Sequence, residues 1–307
     1  MNNICLILEP DRFCNESISI LKNHYLIRDL SDIKDSEYSR VEVIFCRLNF
    51  FINENFLSNY SNLKYICSPT TGLNHIDQDY LEIKGIKLIS LINEVEFLSK
   101  KITSTAEYTW GLMMTSWRKI IEAKIHVASD GWNRDLFISH QIKGRNIGMV
   151  GMGRVGKQIA SYIKAFDANM KYFDPFVNDI LGKEDSLKTL AEWSDILIIC
   201  CKYNKQNKKL ISSSIINSMK INSLLVNTSR GEIIDEKELI KALKAKKIFC
   251  ALDVLSNENE LKDNELINLS KNSNRVIITP HIAGATIDAM HLTEKHITKL
   301  LLRELQC

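Results

Sequence analysis

The chain has 307 residues, of which 45% are hydrophobic and 25% charged, and its formal net charge is +3. These values are typical of a globular protein with about two domains, since length divided by roughly 150 is the usual prior. The 40 basic and 37 acidic residues are spread along the chain, which argues against nucleic-acid binding. No apolar run approaches the roughly 18 residues that span a bilayer, and the first residues do not have the pattern of a signal peptide. We therefore expect a cytoplasmic protein that binds neither a membrane nor nucleic acid.

The eight cysteines form no CxxC pair and show no metal-ligand spacing, so the sequence predicts no metal site. Most of them lie within apolar runs, where a free cysteine behaves as a small hydrophobic residue. A redox switch formed by the neighbouring Cys200 and Cys201 is the alternative.

Short apolar runs rich in β-branched residues predict buried strands along the whole chain. They lie at Ile4–Glu9, Val41–Arg47, Leu63–Ser68, Lys87–Ile92, Asn146–Gly151, Met170–Asp174, Asp195–Cys201, Ser223–Ser229, Lys247–Val254 and Arg275–Thr279. Most are continuously apolar, as expected of strands that are covered on both faces. Stretches with helical periodicity, such as Glu236–Ala245, lie between them. This alternation predicts an α/β protein with parallel sheets and helical crossovers.

A longer helical pattern, Thr103–His126, interrupts the alternation. Its Tyr, Trp, Met, Leu and Ile side chains suit a core helix packed on a sheet, and they also suit a subunit interface. The residues alone leave both interpretations open. Trp132, which follows Gly131 in a loop, is predicted to anchor packing.

Gly151, Gly153 and Gly156 have the GxGxxG spacing between an apolar strand and a helical pattern. In that context the first glycine makes a tight turn, and the second lets a pyrophosphate approach the backbone. The third lets the helix and the strand pack closely. The helix N-terminus then offers N–H groups and the positive end of its dipole to the phosphates. A purely structural turn is the alternative.

Asp174 ends the strand that follows this motif, close to the spacing of about 20 residues expected for a ribose-binding carboxylate. Its carboxylate would accept hydrogen bonds from the ribose hydroxyls and repel a 2′-phosphate. The next residues, Pro175 and Phe176, provide no arginine that could bind this phosphate. The pattern predicts NAD rather than NADP as the cofactor.

The glycine motif begins near residue 151, so about a hundred residues with their own strand and helix pattern precede the cofactor-binding region. They predict a second α/β domain, with a substrate cleft between the two domains. In parallel sheets, ligands bind outside the carboxyl ends of the strands. Three predicted strands end near Arg230, near Asp253 and Glu258, and near His281. A cation, a carboxylate and an imidazole together suit acid–base chemistry on an anionic substrate, although a lone histidine there is usually an ordinary loop residue.

These segments resemble the D-isomer-specific 2-hydroxyacid dehydrogenases over essentially the whole chain. The resemblance is carried by Thr71–Asp77, the Gly151 motif, Asn227–Asp235, Ala251–Val254 and Thr279–Gly284. It implies two Rossmann-like domains: a split flavodoxin-like substrate domain and an inserted NAD-binding Rossmann domain. The corresponding boundaries are residues 1–98 plus 286–307 for the substrate domain and 99–285 for the NAD-binding domain. The last helix, residues 287–302, would complete the first domain.

The resemblance also implies roles for individual residues. Arg230 matches the catalytic arginine, Glu258 the acid and His281 the acid/base that exchanges a proton with the substrate hydroxyl. The implied cofactor contacts, besides the three glycines, are Arg154, Val155, Asp174, Thr228 and Asp253. Thr71 and Gly72 match a loop whose backbone amides approach the substrate carboxylate. The 103–126 helix matches the family's dimer-forming helix, which favours a homodimer.

Two features stay open at this stage. Arg47 matches a substrate-binding arginine of phosphoglycerate dehydrogenases, which would indicate a substrate with a second anionic group, but an ordinary surface arginine fits equally well. The strand 195–201 ends in Cys200-Cys201-Lys202, where the family usually has His-x-Pro, so the adenine side of the cofactor site differs.

The resemblance implies an NAD-dependent oxidoreductase acting on 2-hydroxy or 2-oxo acids. An NAD(H)-sensing protein of the co-repressor type is the alternative.

Overall fold

A computed structural model describes residues 3–178, 180–258 and 260–306. The chain forms two compact units, Met1–Ile102 with Ala285–Cys307 and Thr103–Gly284. The predicted division, at 98/99 and 285/286, lies within a few residues of this boundary. Which unit binds the substrate stays a prediction.

The first unit is built on a five-stranded parallel sheet with the order β2-β1-β3-β4-β5. Its elements in this part of the chain are β1 Ile4–Ile7, α1 Asn15–Leu21, β2 Leu26–Arg28, β3 Val41–Phe45, α2 Glu54–Leu57, β4 Tyr65–Ser68, α3 Gln78–Ile83, β5 Lys87–Ser90 and α4 Val95–Lys101. All residues of β1 and β3 are buried, as their continuously apolar sequences predict. The strand order reverses between β1 and β3, and ligands bind outside the carboxyl ends of strands at such a switch point.

The second unit is built on a six-stranded parallel sheet with the order β11-β10-β9-β8-β6-β7. Its elements are α5 Ser104–Trp117, α6 Ile120–Ala128, β6 Asn146–Val150, α7 Arg154–Ala165, β7 Asn169–Phe173, α8 Leu187–Trp193, β8 Ile196–Ile199, α9 Ser213–Ser218, β9 Leu224–Asn227, α10 Glu236–Lys244, β10 Phe249–Leu252, α11 Glu265–Asn272 and β11 Val276–Ile278. The switch point of this sheet lies between β6 and β8, so the glycine motif that follows β6 lies at it.

The last helix, α12 Ile287–Leu305, completes the first unit. The Thr286 side chain caps it by accepting a hydrogen bond from Ala289 N–H. Ile297 and Leu301 are fully buried in a core shared with Phe45. The predicted α/β fold with two parallel sheets is confirmed, and a C-terminal helix returns to the first sheet.

Three local predictions were wrong or incomplete. The single helix expected over Thr103–His126 is two helices, because Lys119 adopts a left-handed conformation with φ 55° between α5 and α6. Trp132 is 90% exposed and anchors no packing within the chain. Strand β2, only three half-buried residues at the sheet edge, was not predicted.

The two halves of the predicted long helix have different environments. Helix α5 packs on β9, β10 and α7, and Ala106, Leu112 and Met113 are buried in the core of the second unit. None of the α6 residues Ile120–Ala128 is buried. The core-helix interpretation therefore fits α5, and an apolar surface remains on α6.

Candidate active site

The glycine motif has the conformation that a dinucleotide-binding turn requires. Gly151 has φ +101°, and a Cβ there would lie 2.6 Å from the backbone nitrogen of Cys201, so only glycine fits this turn. A Cβ at Gly156 would lie 2.6 Å from the Gly151 carbonyl oxygen, so this glycine permits close packing of α7 on β6. A Cβ at Gly153 would meet no protein atom within 4 Å. This open space, at the N-terminus of α7, fits an approaching pyrophosphate.

The Asp174 side chain, just after β7, forms hydrogen bonds that hold this turn in place. Its Oδ2 accepts a hydrogen bond from Met152 N–H at 2.8 Å, and its Oδ1 accepts one from Phe176 N–H at 2.8 Å. The carboxylate is therefore held beside the glycine motif, as a ribose-binding acid would need to be. Its contact with a ribose stays a prediction.

Cys200 and Cys201 lie on the other side of the motif, at the end of β8. Cys200 Sγ donates to the Gly151 carbonyl oxygen at 3.3 Å. Burial raises the pKa of Cys201 to about 11 and raises the pKa of Cys200 further, so neither thiol ionises readily at neutral pH. This environment fits structural thiols better than a redox switch.

His281 is positioned by Asp253, which ends the neighbouring strand. The Asp253 carboxylate is only 1% exposed. It accepts hydrogen bonds from Thr279 Oγ1 at 2.6 Å, Ile282 N–H at 2.9 Å and Ala283 N–H at 2.7 Å. His281 N–H donates to the Asp253 carbonyl oxygen at 2.8 Å. These bonds hold His281 in a left-handed conformation, φ 56°, which is uncommon for a residue other than glycine.

The imidazole of His281 has a single side-chain partner. Its Nδ1 lies 2.6 Å from Glu258 Oε2, and the Glu258 carboxylate also accepts a hydrogen bond from Leu255 N–H at 3.2 Å. Within the described residues, Nε2 of His281 has no hydrogen-bond partner. The structure thus brings the two predicted residues together and leaves one ring nitrogen able to exchange a proton with a ligand.

Arg230 lies after β9, between the ends of β8 and β10. Its Nη1 donates to the Ser229 carbonyl oxygen at 2.6 Å. Burial lowers the pKa of the guanidinium, and the negative charge of Glu258 opposes this shift. No carboxylate among the described residues forms a salt bridge with Arg230. A half-buried guanidinium that forms no salt bridge within these residues is a suitable site for a substrate carboxylate.

The family model for the NAD-binding domain of D-isomer-specific 2-hydroxyacid dehydrogenases matches residues 110–283. This match covers more than half of the chain. The chain belongs to this family. It is therefore an NAD-dependent oxidoreductase, and the predicted enzyme class and cofactor are confirmed.

Relatives of this dehydrogenase agree with the assignment. A Staphylococcus haemolyticus protein assigned to the 2-hydroxyacid dehydrogenases is 32% identical over 264 residues, which are 83% of this chain and 79% of that protein. D-3-phosphoglycerate dehydrogenase of Archaeoglobus fulgidus is 31% identical over 82% of this chain, but only 47% of its own length is matched. This dehydrogenase thus spans about half of that longer relative.

A solved structure extends the comparison to the whole fold. D-Lactate dehydrogenase of Aquifex aeolicus, determined with NAD and lactic acid, superposes with a TM-score of 0.84 at 25% sequence identity. The alignment covers 99% of this chain and 96% of that one.

In the first unit of the dehydrogenase, Thr71 and Gly72 follow β4 at the carboxyl edge of the sheet. Thr71 is exposed, and within the described ranges neither residue's N–H has a hydrogen-bond acceptor. This leaves both N–H groups available to an anion, as the resemblance implies. Their contact with a substrate stays a prediction.

Arg47 has a partner that the sequence did not indicate. Its Nε donates to Glu294 Oε1 at 3.0 Å, and its Nη2 contacts the same oxygen. Glu294 lies on α12 and is fully buried; burial raises its pKa, against the hydrogen bonds and charge of Arg47 that lower it. The role of Arg47 in binding a second anionic group stays a prediction, but its charge is already compensated.

Thr228, a predicted cofactor contact, also has a protein partner. Its Oγ1 lies 2.6 Å from Oγ1 of Thr109 on α5. Arg154 and Val155 occupy the first turn of α7, where a pyrophosphate would lie. The contacts of Thr228, Arg154 and Val155 with a cofactor stay predictions.

Two site residues were missed by the sequence reasoning. The buried Asn227 accepts a hydrogen bond from Ser229 N–H at 3.0 Å and donates one to the Arg230 carbonyl oxygen at 2.9 Å, which closes the turn that carries Arg230. A Cβ at Gly231 would lie 2.0 Å from the Leu255 backbone, so this glycine lets the Arg230 turn pack against the segment that leads to Glu258. Asparagine and glycine are typical turn residues, and here they flank an arginine that follows a strand. This sequence pattern could have indicated Asn227 and Gly231.

Proposed function

We propose that Arg230, Glu258 and His281 catalyse the interconversion of a D-2-hydroxy acid and its 2-oxo acid. The observation that supports this most directly is the 2.6 Å contact between His281 Nδ1 and Glu258 Oε2, with Nε2 left without a hydrogen-bond partner among the described residues. A positioned histidine of this kind suits proton exchange with a hydroxyl. Arg230, which forms no salt bridge within the part of the chain that the structure describes, suits the carboxylate that every 2-hydroxy acid carries.

In this mechanism, Arg230 binds the substrate carboxylate and polarises the C2–O bond. During oxidation, Nε2 of His281 takes the hydroxyl proton, and Glu258 holds the ring and stabilises its positive charge. The bound cofactor would supply the acceptor for the hydride that leaves Cα. In the reverse direction His281 returns the proton to the keto oxygen. Gly151, Gly153, Gly156, Arg154, Val155 and Asp174 would hold the cofactor, and the buried Asp253 keeps the His281 turn in place.

Turnover of 2-oxo acids tests this function. A panel of 2-oxo acids should include at least one that the purified protein reduces, seen as loss of NADH absorbance and formation of the D-hydroxy acid. NADH binding without turnover of any acid on the panel would contradict the proposal. That outcome would favour the NAD(H)-sensing alternative, which no observation described above supports.

Asp174 is expected to determine the choice of cofactor. Asp174→Ala should lower the preference for NADH over NADPH by roughly 10- to 100-fold, because a charged hydrogen-bond acceptor for the ribose is lost and a repelling charge is removed. Asp174→Asn is the comparison variant: it removes the charge and keeps an acceptor oxygen for Met152 N–H, while its NH2 group replaces the oxygen that accepts from Phe176 N–H. Calorimetric dissociation constants for both cofactors measure the effect. Equal affinity of the unaltered protein for NAD and NADP would show that the assignment is wrong.

A homodimer is also part of this proposal. None of α6 is buried, and large apolar side chains around it are exposed. They are Ile120, Ile121, Ile125, Val127, Trp132, Leu136 and Ile138. Several exposed large apolar side chains within one short segment are typical of an association site, and most soluble oligomers are homo-oligomers. We propose that a second copy of the chain covers it.

A charge on this surface should break the dimer. Ile125→Asp should weaken dimerisation by at least about 10²-fold, because it would bury an unpaired carboxylate in the interface. Ile221, which is 76% exposed on the turn before β9, provides the control variant Ile221→Asp. Sedimentation should show dimers for the unaltered protein and the control. A monomeric unaltered protein, or a fully dimeric Ile125→Asp variant, would contradict the interface.

The location proposed for the enzyme is the cytoplasm. The seven cysteines within the described residues are all free, and five of them are buried, as in proteins of reducing compartments. Across residues 3–178, 180–258 and 260–306, no helix is long and apolar enough to cross a membrane.

In those same ranges, no cluster of three His, Cys, Asp or Glu side chains could hold a metal ion.

A further inference from the structure

Helix α5 carries two neighbouring hydroxyl groups that reach the ends of two strands of the second unit. Thr109 is completely buried, and its Oγ1 lies 2.6 Å from Oγ1 of Thr228, just after β9. The Tyr108 hydroxyl forms a hydrogen bond with the side chain of Thr279, just after β11. Adjacent residues of a helix point about 100° apart, so one turn of α5 can hold two separate strand ends.

The contact between the two threonines has a defined direction. A threonine hydroxyl has one hydrogen to donate. Thr109 Oγ1 donates this hydrogen to the Thr105 carbonyl oxygen, one turn earlier in α5, at 2.6 Å. The hydrogen between the two hydroxyls therefore comes from Thr228, and Thr109 is the acceptor. The Thr228 hydroxyl is thus bound to a fixed point on α5.

This contact holds the turn that carries Arg230. Arg230 comes two residues after Thr228, and its Nη1 donates to the Ser229 carbonyl oxygen at 2.6 Å. Ser229 Oγ donates to the Ile199 carbonyl oxygen on β8 at 3.3 Å. The turn is therefore held to α5 through Thr228 and to β8 through Ser229. The position of the guanidinium depends on both contacts.

The Tyr108 hydroxyl is linked to His281 through two other residues. Thr279 Oγ1 donates to the Asp253 carboxylate at 2.6 Å, since a carboxylate only accepts, and the Tyr108 hydroxyl therefore donates to Thr279. Burial raises the pKa of Tyr108, and the negative charge of Asp253 raises it further, so the phenol keeps the hydrogen that it donates. His281 N–H donates to the Asp253 carbonyl oxygen at 2.8 Å. The bonds around Asp253 thus fix the backbone that carries the imidazole.

We propose that Tyr108 and Thr109 are positioning residues with separate tasks. Tyr108 holds the turn that carries His281. Thr109 holds the turn that carries Arg230. All of these residues belong to the second unit. The inference rests on the proposed function, in which Arg230 binds the substrate carboxylate and His281 exchanges the proton, so the two hydroxyls serve different steps of the reaction.

Removal of the Thr109 hydroxyl should weaken substrate binding. Thr109→Val keeps a β-branched side chain of similar shape. It should raise KM for the best 2-oxo acid by about 10-fold and change kcat much less, because a displaced guanidinium binds the carboxylate less well in the ground state and the transition state alike. Thr109→Ser keeps the hydroxyl and should retain the KM of the unaltered enzyme. Thr109→Ala is a second variant without the hydroxyl and should have the KM of Thr109→Val.

Removal of the Tyr108 hydroxyl should instead slow the chemical step. Tyr108→Phe should lower kcat by about 10-fold and change KM much less, because a displaced imidazole impairs proton exchange and not the binding of the carboxylate. Thr279→Ser keeps a hydroxyl that can link Tyr108 to Asp253, and it should retain kcat. Thr279→Val breaks this link and should lower kcat at least as much as Tyr108→Phe.

Two matched controls make the same chemical changes elsewhere. Thr298→Val removes a fully buried hydroxyl that donates to the Glu294 carbonyl oxygen at 2.8 Å, one turn earlier in α12. Tyr162→Phe removes a phenolic hydroxyl from α7 in the second unit, where the Tyr162 ring contacts the Trp110 ring. Both controls should leave kcat and KM unchanged. The Tm of every variant shows that it is folded under the conditions of the assay.

The division of the effects between KM and kcat decides the inference. If Thr109→Val and Tyr108→Phe changed KM and kcat in the same way, α5 would be only a structural support, and the separate tasks would be wrong. Unchanged kinetics in both variants, or a KM in Thr109→Ser as high as in Thr109→Val, would also overturn the inference. The proposed function is tested separately by the unaltered enzyme: if it reduced no 2-oxo acid, that function would be contradicted, and this inference with it.

Discussion

Replacing His281 with alanine is expected to lower kcat by roughly 10²–10⁴-fold, the usual contribution of a positioned general acid/base. Nδ1 of the imidazole is held by Glu258 at 2.6 Å, and the backbone is held by Asp253. The ring therefore needs little reorganisation before Nε2 exchanges a proton with the substrate. The affinity for NADH should change little, because the glycine motif and Asp174 that would hold the cofactor lie on other strands.

Steady-state kinetics with the best 2-oxo acid, together with calorimetric NADH affinity, separate chemistry from cofactor binding. Glu258→Gln should lower kcat less than His281→Ala, because the ring keeps a hydrogen-bond partner and loses only the charge that stabilises the imidazolium. His140→Ala, an exposed histidine of the same unit, is the control and should leave kcat unchanged. Near-native turnover by His281→Ala would refute this mechanism.

The sequence predicted the core of both sheets because buried parallel strands leave a direct signal. Ile196–Ile199 is completely buried and continuously apolar, and Leu224–Asn227 is completely buried and apolar up to its last residue, so their assignment needs no knowledge of their neighbours. The ends of such strands then place polar residues at one edge of a sheet. This is why His281 and Glu258 could be paired before their contact was known.

Other features depend on contacts that no local pattern encodes. The strand Leu26–Arg28 is short and half-buried, and it forms only because β1 provides an edge to pair with. The helix break at Lys119 is stabilised from outside the helix: the Lys119 ammonium donates to the Ile138 carbonyl oxygen at 3.2 Å. The periodicity of Thr103–His126 continues through this break and therefore predicted one helix.

The partner of Arg47 is the clearest example of a long-range determinant. Glu294 is 247 residues away in the chain and reaches Arg47 only because α12 returns to the first sheet. The resemblance predicted this helix and its return to the first domain, but it did not indicate which face of the helix would bear a buried carboxylate. A residue-by-residue resemblance could thus suggest a substrate role for Arg47 without revealing that its charge was already compensated.

Arg230→Lys is expected to raise KM for the 2-oxo acid by roughly 10- to 100-fold, the range for losing a charged hydrogen bond. Lysine keeps the positive charge, so the loss measures the forked contact that only a planar guanidinium makes with a carboxylate. The turn itself should survive, because Asn227 closes it through the backbone of Ser229 and Arg230 and does not use the arginine side chain.

The measurement is kcat and KM for the 2-oxo acid, with NADH affinity determined separately to show that the cofactor site is intact. Arg275→Lys is the matched control, because Arg275 belongs to the same unit but lies before β11, where it contacts Asn222 and the Phe249 ring. It should leave KM unchanged. If Arg230→Lys bound and reduced the acid as well as the unaltered enzyme, a point charge would be sufficient, and the bidentate role assigned to Arg230 would be wrong. We expect KM to rise in Arg230→Lys and not in the control, because only Arg230 is a half-buried guanidinium placed just after β9 to bind a carboxylate.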